Sequence, residues 1–319
     1  MIIERRTIIK KTFKTSLSLT IVMLFLFISM FNINVLAQTN DIDEKPAGND
    51  SMVNTPKVIN DPQLEAVTRE EEYIVSLINE IHDNKSFVTT IEDWEYNLAF
   101  LKDNYTLISK NSTANMAYVD SYIEAYEYVL LDQDMPKSNT IDSVVARAGY
   151  NRLDAQDYAL EYAESPNPAY YNWENYNPGY TFDCANFVSQ SLYAGGKSFV
   201  DTPGVSDATN FSYWFGTGST GSTTKYSATW RGADAFKHFW KSNASYQEFS
   251  EISSASYNYG YAGYPISLLN SNGRAYHTVI IVGYVPSEND FVLAQHSSMD
   301  VDARLSEKGF SSFIIYDPS

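Results

Sequence analysis

Cysteine, histidine and positive charge are what this chain has least of, and each scarcity excludes something. A single cysteine, Cys184, cannot close an intrachain disulfide, so stability has to come from packing. The four histidines, His82, His238, His277 and His296, form no H-x-x-x-H pair and no Cys/His cluster, so neither a metal site nor a cofactor is expected. Lys and Arg number 22 against 39 Asp and Glu, a formal charge of −17, which makes nucleic acid a poor partner. Asp300 and Asp302 form a lone D-x-D that reads as solvated loop.

Most of the long apolar character lies at the N-terminus. Arg5, Arg6, Lys10, Lys11 and Lys14 precede an uncharged run from Leu17 to Ala37, the pattern of an export signal over residues 1–37. Val35 and Ala37 stand where a signal peptidase reads, which makes Gln38 the expected mature start and leaves no membrane span after cleavage. The run is also long enough to cross a bilayer, so a retained membrane anchor is the alternative. Either way the remainder is expected outside the cytoplasm, secreted or associated with the cell wall, because the basic residues stay inside. Without residues 1–37 the chain carries 17 basic and 38 acidic groups, a charge of −21.

Residues 38–60 are polar and lack apolar periodicity, as expected of a disordered linker. Residues 61–137 read as a small helical region of no recognisable chemistry, with helical spacing over Gln63–His82, Ile91–Leu101 and Ala114–Leu131. His82, beside Asp83, is expected at the surface. Met135-Pro136 marks the boundary to residues 138–319. There a helix through Leu153 and Tyr158 to Tyr162 precedes an aromatic Asn/Pro-rich loop and the cysteine, and a short helix runs from Gly232 to Trp240. The last sixty or so residues read as strands: Tyr264–Leu269, Ala275–Val285, Phe291–Ser297 and Phe310–Ile315. Helices followed by strands predict an α+β fold, a cysteine helix packed on an antiparallel sheet.

Cys184 opens the segment FDCANFVSQSLYAGG. Phe187, Val188 and Leu192 fall on one helical stripe behind it, and Gly195-Gly196 stops the helix. A thiol in the first helical turn faces unpaired N–H groups, which favour the thiolate and lower its pKa. Most free cysteines are small apolar core residues. Here the polar flank of Asp183 and Asn186, with a histidine entering a downstream strand, points instead to a nucleophile.

A cysteine at a helix N-terminus followed by His277 at the head of HTVIIVGY is the organisation of papain-like cysteine hydrolases. Residues from about 145 to 319 resemble the putative amidase domain family of Gram-positive bacteria, relatives of the NlpC-type and CHAP cell-wall hydrolases. Tyr150, Arg152, Tyr158-Ala159, Tyr162-Ala163, Asn167-Pro168, Tyr170, the run Asp183 to Gln190, Ala194-Gly195-Gly196, Trp230-Arg231 and His277 carry the likeness. Ser191 departs from it, where a second cysteine is common, as does Gly263-Tyr264-Pro265, where Gly-Asp is usual.

The resemblance implies Cys184 as nucleophile and His277 as base. By alternation His277, Val279, Ile281 and Gly283 share one strand face, which is expected to lie beneath the cysteine helix. A hairpin centred on Pro286/Ser287 puts His296 opposite His277 as the orienting group, whereas a turn half a residue later swings His296 to the other face. His238, Asp290 and Asn289 are the rivals. The oxyanion is expected at the Cys184 N–H, with Tyr170, or Tyr171, contributing by analogy with NlpC-like enzymes. Asp183 is expected to cap the helix or to bind a substrate amine. The expected function is hydrolysis of an amide bond in peptidoglycan or a related peptide; a secreted cysteine protease, an acyltransferase and a non-catalytic wall-binding module are the alternatives.

Overall fold

The computed structural model describes residues 45–49, 61–82, 86–140, 149–175, 183–200, 211–221, 225–298 and 300–319. The expected export segment 1–37 and most of the linker 38–60 lie outside the described residues. Residues Ala47–Ser319 form one compact unit.

Three helices come first: α1 (Pro62–Ile81), α2 (Trp94–Ile108) and α3 (Met116–Asp132). Asp61 starts α1 by accepting the N–H groups of Gln63 and Leu64 at 3.1 and 3.4 Å, with Pro62 at the first helical position. Ile74, Ile78, Leu101, Val119 and Tyr126 close a core of their own between these helices.

Then follow β1 (Ser138–Asn139), α4 (Arg152–Tyr162), α5 (Cys184–Ala194), α6 (Ala228–Arg231), α7 (Ala233–Asn243), β2 (Ser245–Phe249), α8 (Ser254–Tyr259), β3 (Pro265–Leu269), β4 (Ala275–Val285), β5 (Asp290–Gln295), β6 (Asp300–Arg304) and β7 (Ser312–Asp317). The strands form one antiparallel sheet in the order β1-β2-β7-β3-β4-β5-β6. Mixed helices and an antiparallel sheet agree with the expected α+β class.

Both faces of this sheet are covered, which is why β4 reads as an almost unbroken apolar run. Ile280, Val282, Ala294 and Ile314 pack with Cys184, Phe187, Val188 and Leu192 of α5. Val279, Ile281, Leu293, Phe313 and Ile315 belong to a second cluster with Tyr257 and Val67. The cysteine helix therefore rests on the Ile280/Val282 face, not on the Val279/Ile281 face expected from alternation. Burial on both faces removes the polar–apolar contrast that would have told them apart.

Five elements went unread in the sequence: β1, α6, β2, α8 and β6. β6 contains the D-x-D, whose acidic residues sit on an edge strand, where charge is tolerated. Gly263, where the family usually continues with Asp, has φ +87° and brings its Cα against the Arg152 carbonyl, a place no side chain fits. Tyr150 adds a hydrogen bond from its hydroxyl to the Gly263 carbonyl.

A buried ion cluster joins the helical region to the sheet. Arg274 places Nη1 2.9 Å from Glu70 and 3.5 Å from Glu71 on α1, and Nε 3.8 Å from Asp234 on α7. Burial pushes the Asp234 carboxyl up to about 7 against the pull of Lys237 and Arg274. Tyr276 extends the same seam by donating to Asp61 at 3.1 Å.

Candidate active site

Cys184 is the first residue of α5 and is 1% exposed. Asp183 precedes it but does not cap the helix. Its Oδ1 accepts from the Trp173 N–H at 2.9 Å and the Asn186 amide at 2.8 Å, and its Oδ2 lies 2.7 Å from His296 Nδ1. With both oxygens occupied and the residue buried, Asp183 is a structural hub that fixes the start of α5; neither the cap nor the amine site expected of it is formed.

The sulfur sits where β4 outruns its neighbour. Pairing with β5 runs from Val285↔Asp290 back to Ile280↔Ala294, leaving the first residues of β4 unpaired on that side. Ile281 exchanges its backbone bonds with Gly263 and Tyr264, so by alternation Thr278 turns its N–H the other way, into the gap. There it points at the Cys184 sulfur, as do the N–H groups of Ala185 and of Cys184 itself. Burial nevertheless dominates and pushes the thiol up to about 12. The lowered pKa expected from the helix terminus is overridden, because sulfur shut away from water loses more in hydration than three dipoles return.

His277 is fully buried at the same end of β4, one residue from Thr278. Its Nε2 donates to Gln295 Oε1 at 3.1 Å, and Gln295 holds that amide orientation by donating its other end to Ser298. This leaves the Nδ1 lone pair without a hydrogen bond among the described residues. Burial and the nearby Lys308 pull the imidazole down to about 4, with Asp61 and Gln295 opposing. Thiol and imidazole therefore both rest uncharged.

His296 does not face His277. It lies on the α5 side of the sheet, stacked on Phe187 at 4.1 Å, with Nδ1 on Asp183 and Nε2 donating to the Tyr162 carbonyl at 2.8 Å. The cause is register. The loop Pro286–Asn289, closed by Asn289 at φ 52°, and a bulge between Ile281 and Gly283 move the pairing one residue from the expected alignment, which exchanges Gln295 for His296. The rivals are engaged elsewhere: His238 with Asp132 at 2.7 Å, Asp290 with the N–H groups of Phe291 and Ser306, and Asn289 with the backbone N–H and carbonyl of Asn49. His82 stacks on Phe87 at 4.3 Å, in the helical region.

A cavity of about 320 Å³ opens at Cys184. Trp173, Arg231, Ala275 and Tyr276 line one side, and Ser121, Glu124 and Tyr128 of α3 line the other. The helical region thus forms a wall of the site, which its sequence did not announce. Tyr170 stands outside this lining, its ring 6.2 Å from that of Trp230, and Tyr171 bonds through its N–H to Tyr226. Trp173 takes the aromatic place beside the thiol; the aromatic segment was legible as groove or core, but which ring faces the cysteine was not.

A buried thiol among backbone donors at the start of α5, opening on a cavity, defines a candidate nucleophile. His277 pairs with Leu268 on the Val279/Ile281 face of β4, so it does not share the face beneath the cysteine helix as expected. A family profile described as putative amidase domain matches residues 149–313, and the chain belongs to that family. The match spans α4 to the first two residues of β7 and includes Cys184, His277 and Gln295. Family membership points to hydrolysis of amide bonds. No curated protein and no solved structure matches the chain.

Proposed function

We propose that the chain is an exported cysteine amidase or peptidase of the papain-like, NlpC type, acting on an amide bond of peptidoglycan. The observation that carries this reading is the convergence of backbone donors on the Cys184 sulfur at a cavity. His277, with no hydrogen bond at Nδ1 among the described residues, is the base of this reading and reaches the thiol around the open end of β4, from the opposite face. Cys184 attacks the carbonyl carbon as His277 takes the thiol proton. The oxyanion is stabilised by the Cys184 N–H, and the proton passes to the leaving amine to give a thioester. Water then cleaves the thioester, with His277 again as base, returning the thiol and a carboxylic acid.

Gln295 takes the orienting role in this scheme by holding the Nε2–H tautomer. His296 is excluded as the base because both its nitrogens are engaged with oxygen atoms. The uncharged resting pair implies that proton transfer accompanies attack, rather than a standing thiolate–imidazolium pair. The export-type pattern of residues 1–37 and the aromatic residues Tyr128, Trp173 and Tyr276 of the cleft support the wall as substrate.

Purified peptidoglycan incubated with the protein should release soluble muropeptides in a Cys184-dependent manner. A new α-amino group within the stem identifies a peptidase, and separation of glycan from L-alanine-terminated peptide identifies an amidase in the strict sense. Cleavage of secreted proteins without either product would replace the wall reading with a protease one.

A further inference from the structure

The cavity that holds Cys184 contains two guanidinium groups in different circumstances. Arg274 is engaged by Glu70, Glu71 and Asp234. Arg231, the last residue of α6, makes no ion pair among the described residues, and its Nε is buried without a hydrogen-bond partner. Its charge lies over the Trp173 ring, 5.4 Å from the centroid, an arrangement that orients a guanidinium while leaving its donors unsatisfied. In a chain with 39 acidic and 22 basic residues, a cation without a carboxylate at this place is informative. Asp234, the nearby acid of the same cavity, already accepts the Ala275 N–H at 2.7 Å and faces Arg274. Glu124, across the cleft on α3, is exposed and makes no ion pair among the described residues.

We propose that Arg231 is the specificity residue of this cleft and binds a carboxylate of the substrate, so that the preferred amide belongs to a peptide carrying a free carboxylate beside the bond to be cut. The planar fork of a guanidinium suits a carboxylate through paired N–H donors, and the Trp173 face keeps the fork in register. The inference rests on Cys184 being the nucleophile. It adds what the shared chemistry of amide cleavage leaves open, namely the charge of the substrate.

The single cysteine allows a test that needs no substrate. Rates of Cys184 alkylation by iodoacetate, which carries a carboxylate, and by neutral iodoacetamide are measured by mass spectrometry on the wild type, Arg231→Gln and Arg231→Lys. Loss of the cation should lower the iodoacetate-to-iodoacetamide ratio by about tenfold, with the iodoacetamide rate within about twofold of wild type, and Arg231→Lys should fall between. On the wild type alone, acetate should slow iodoacetamide competitively, while chloride at equal ionic strength does not. An unchanged ratio in Arg231→Gln, or no protection by acetate, overturns the assignment of Arg231. A folded wild type that neither reagent alkylates sinks the nucleophile reading and this one with it, an outcome set apart by the silence of the neutral reagent.

Discussion

His296 borders the start of the cysteine helix and His277 lies on the other face of the sheet, and their hydrogen bonds separate their roles. His277 has a ring nitrogen without a hydrogen bond among the described residues and His296 has both nitrogens engaged, which leads to opposite expectations. Cys184→Ala should abolish hydrolysis while keeping a cooperative thermal transition, since it removes one sulfur atom; retained turnover would end the nucleophile assignment. His277→Ala should be nearly as damaging, and Gln295→Ala should lower kcat but leave a remnant, because it removes orientation rather than the base. His296→Ala should act on stability instead. It leaves the Asp183 carboxylate buried without its partner, a loss of about 3 kcal/mol or more in denaturant unfolding. The resting protonation states add a pH signature. His277 is held below its ordinary 6.5, so the unfolded chain takes that proton first, and the stability involved is whole above about 6.5 and lost as pH falls through about 4. Cys184 is held above its ordinary 9.0, so its share is whole below about 9 and lost as pH rises towards about 12. Melting temperature measured against pH should therefore differ from wild type at the acid end in His277→Ala and at the alkaline end in Cys184→Ser. Curves that run parallel would contradict the buried, uncharged pair.

At the scale of elements, the position of the site depends on how β4 meets its two neighbours. Toward β3, Gly263 lets the chain turn against the Arg152 carbonyl and brings α4 onto the strand. Gly263→Ala should cost on the order of 1–3 kcal/mol, read as a lower melting temperature, because the change combines a positive φ with a backbone clash. Toward β5, the loop Pro286–Asn289 and the bulge set which residue reaches His277. A tight symmetric hairpin would present His296 there, and the longer loop alone would keep it on that face; the bulge at Val282 reverses the alternation and presents Gln295. Strand identity was legible from composition, whereas register depended on a left-handed Asn289 and one extra residue at Val282, neither of which has a distinctive sequence signal.

For the whole molecule, the helical region and the sheet share one buried charge cluster and one cavity. Arg274→Leu should strand Glu70, Glu71 and Asp234 without their cation and lower stability by about 3 kcal/mol or more, monitored by urea unfolding. A fragment of residues 138–319 should lack the cooperative thermal transition of the full chain. It loses the partners of Arg274 and of Tyr276 together with one wall of the cleft. A fragment that melts like the full chain would make the helical region a separable accessory. The family match begins at residue 149, so this coupling lies beyond what membership implies.

Local physics made much of this protein legible before any tertiary contact was known. The apolar stripe behind Cys184, the Gly195-Gly196 stop and the β4 run each depend on near neighbours along the chain, and each element formed close to where its residues predict. The pairing of Gln295 with His277, the occupation of Asp183 by His296 and the Trp173–Arg231 stack inside the cavity join residues distant in sequence, so no periodicity encodes them. The thiol illustrates the difference. Its place at a helix N-terminus is a property of the segment and argues for a lowered pKa, but burial is a property of everything packed around it. In this fold burial prevails, because desolvation of the whole sulfur outweighs the pull of the few N–H groups aimed at it.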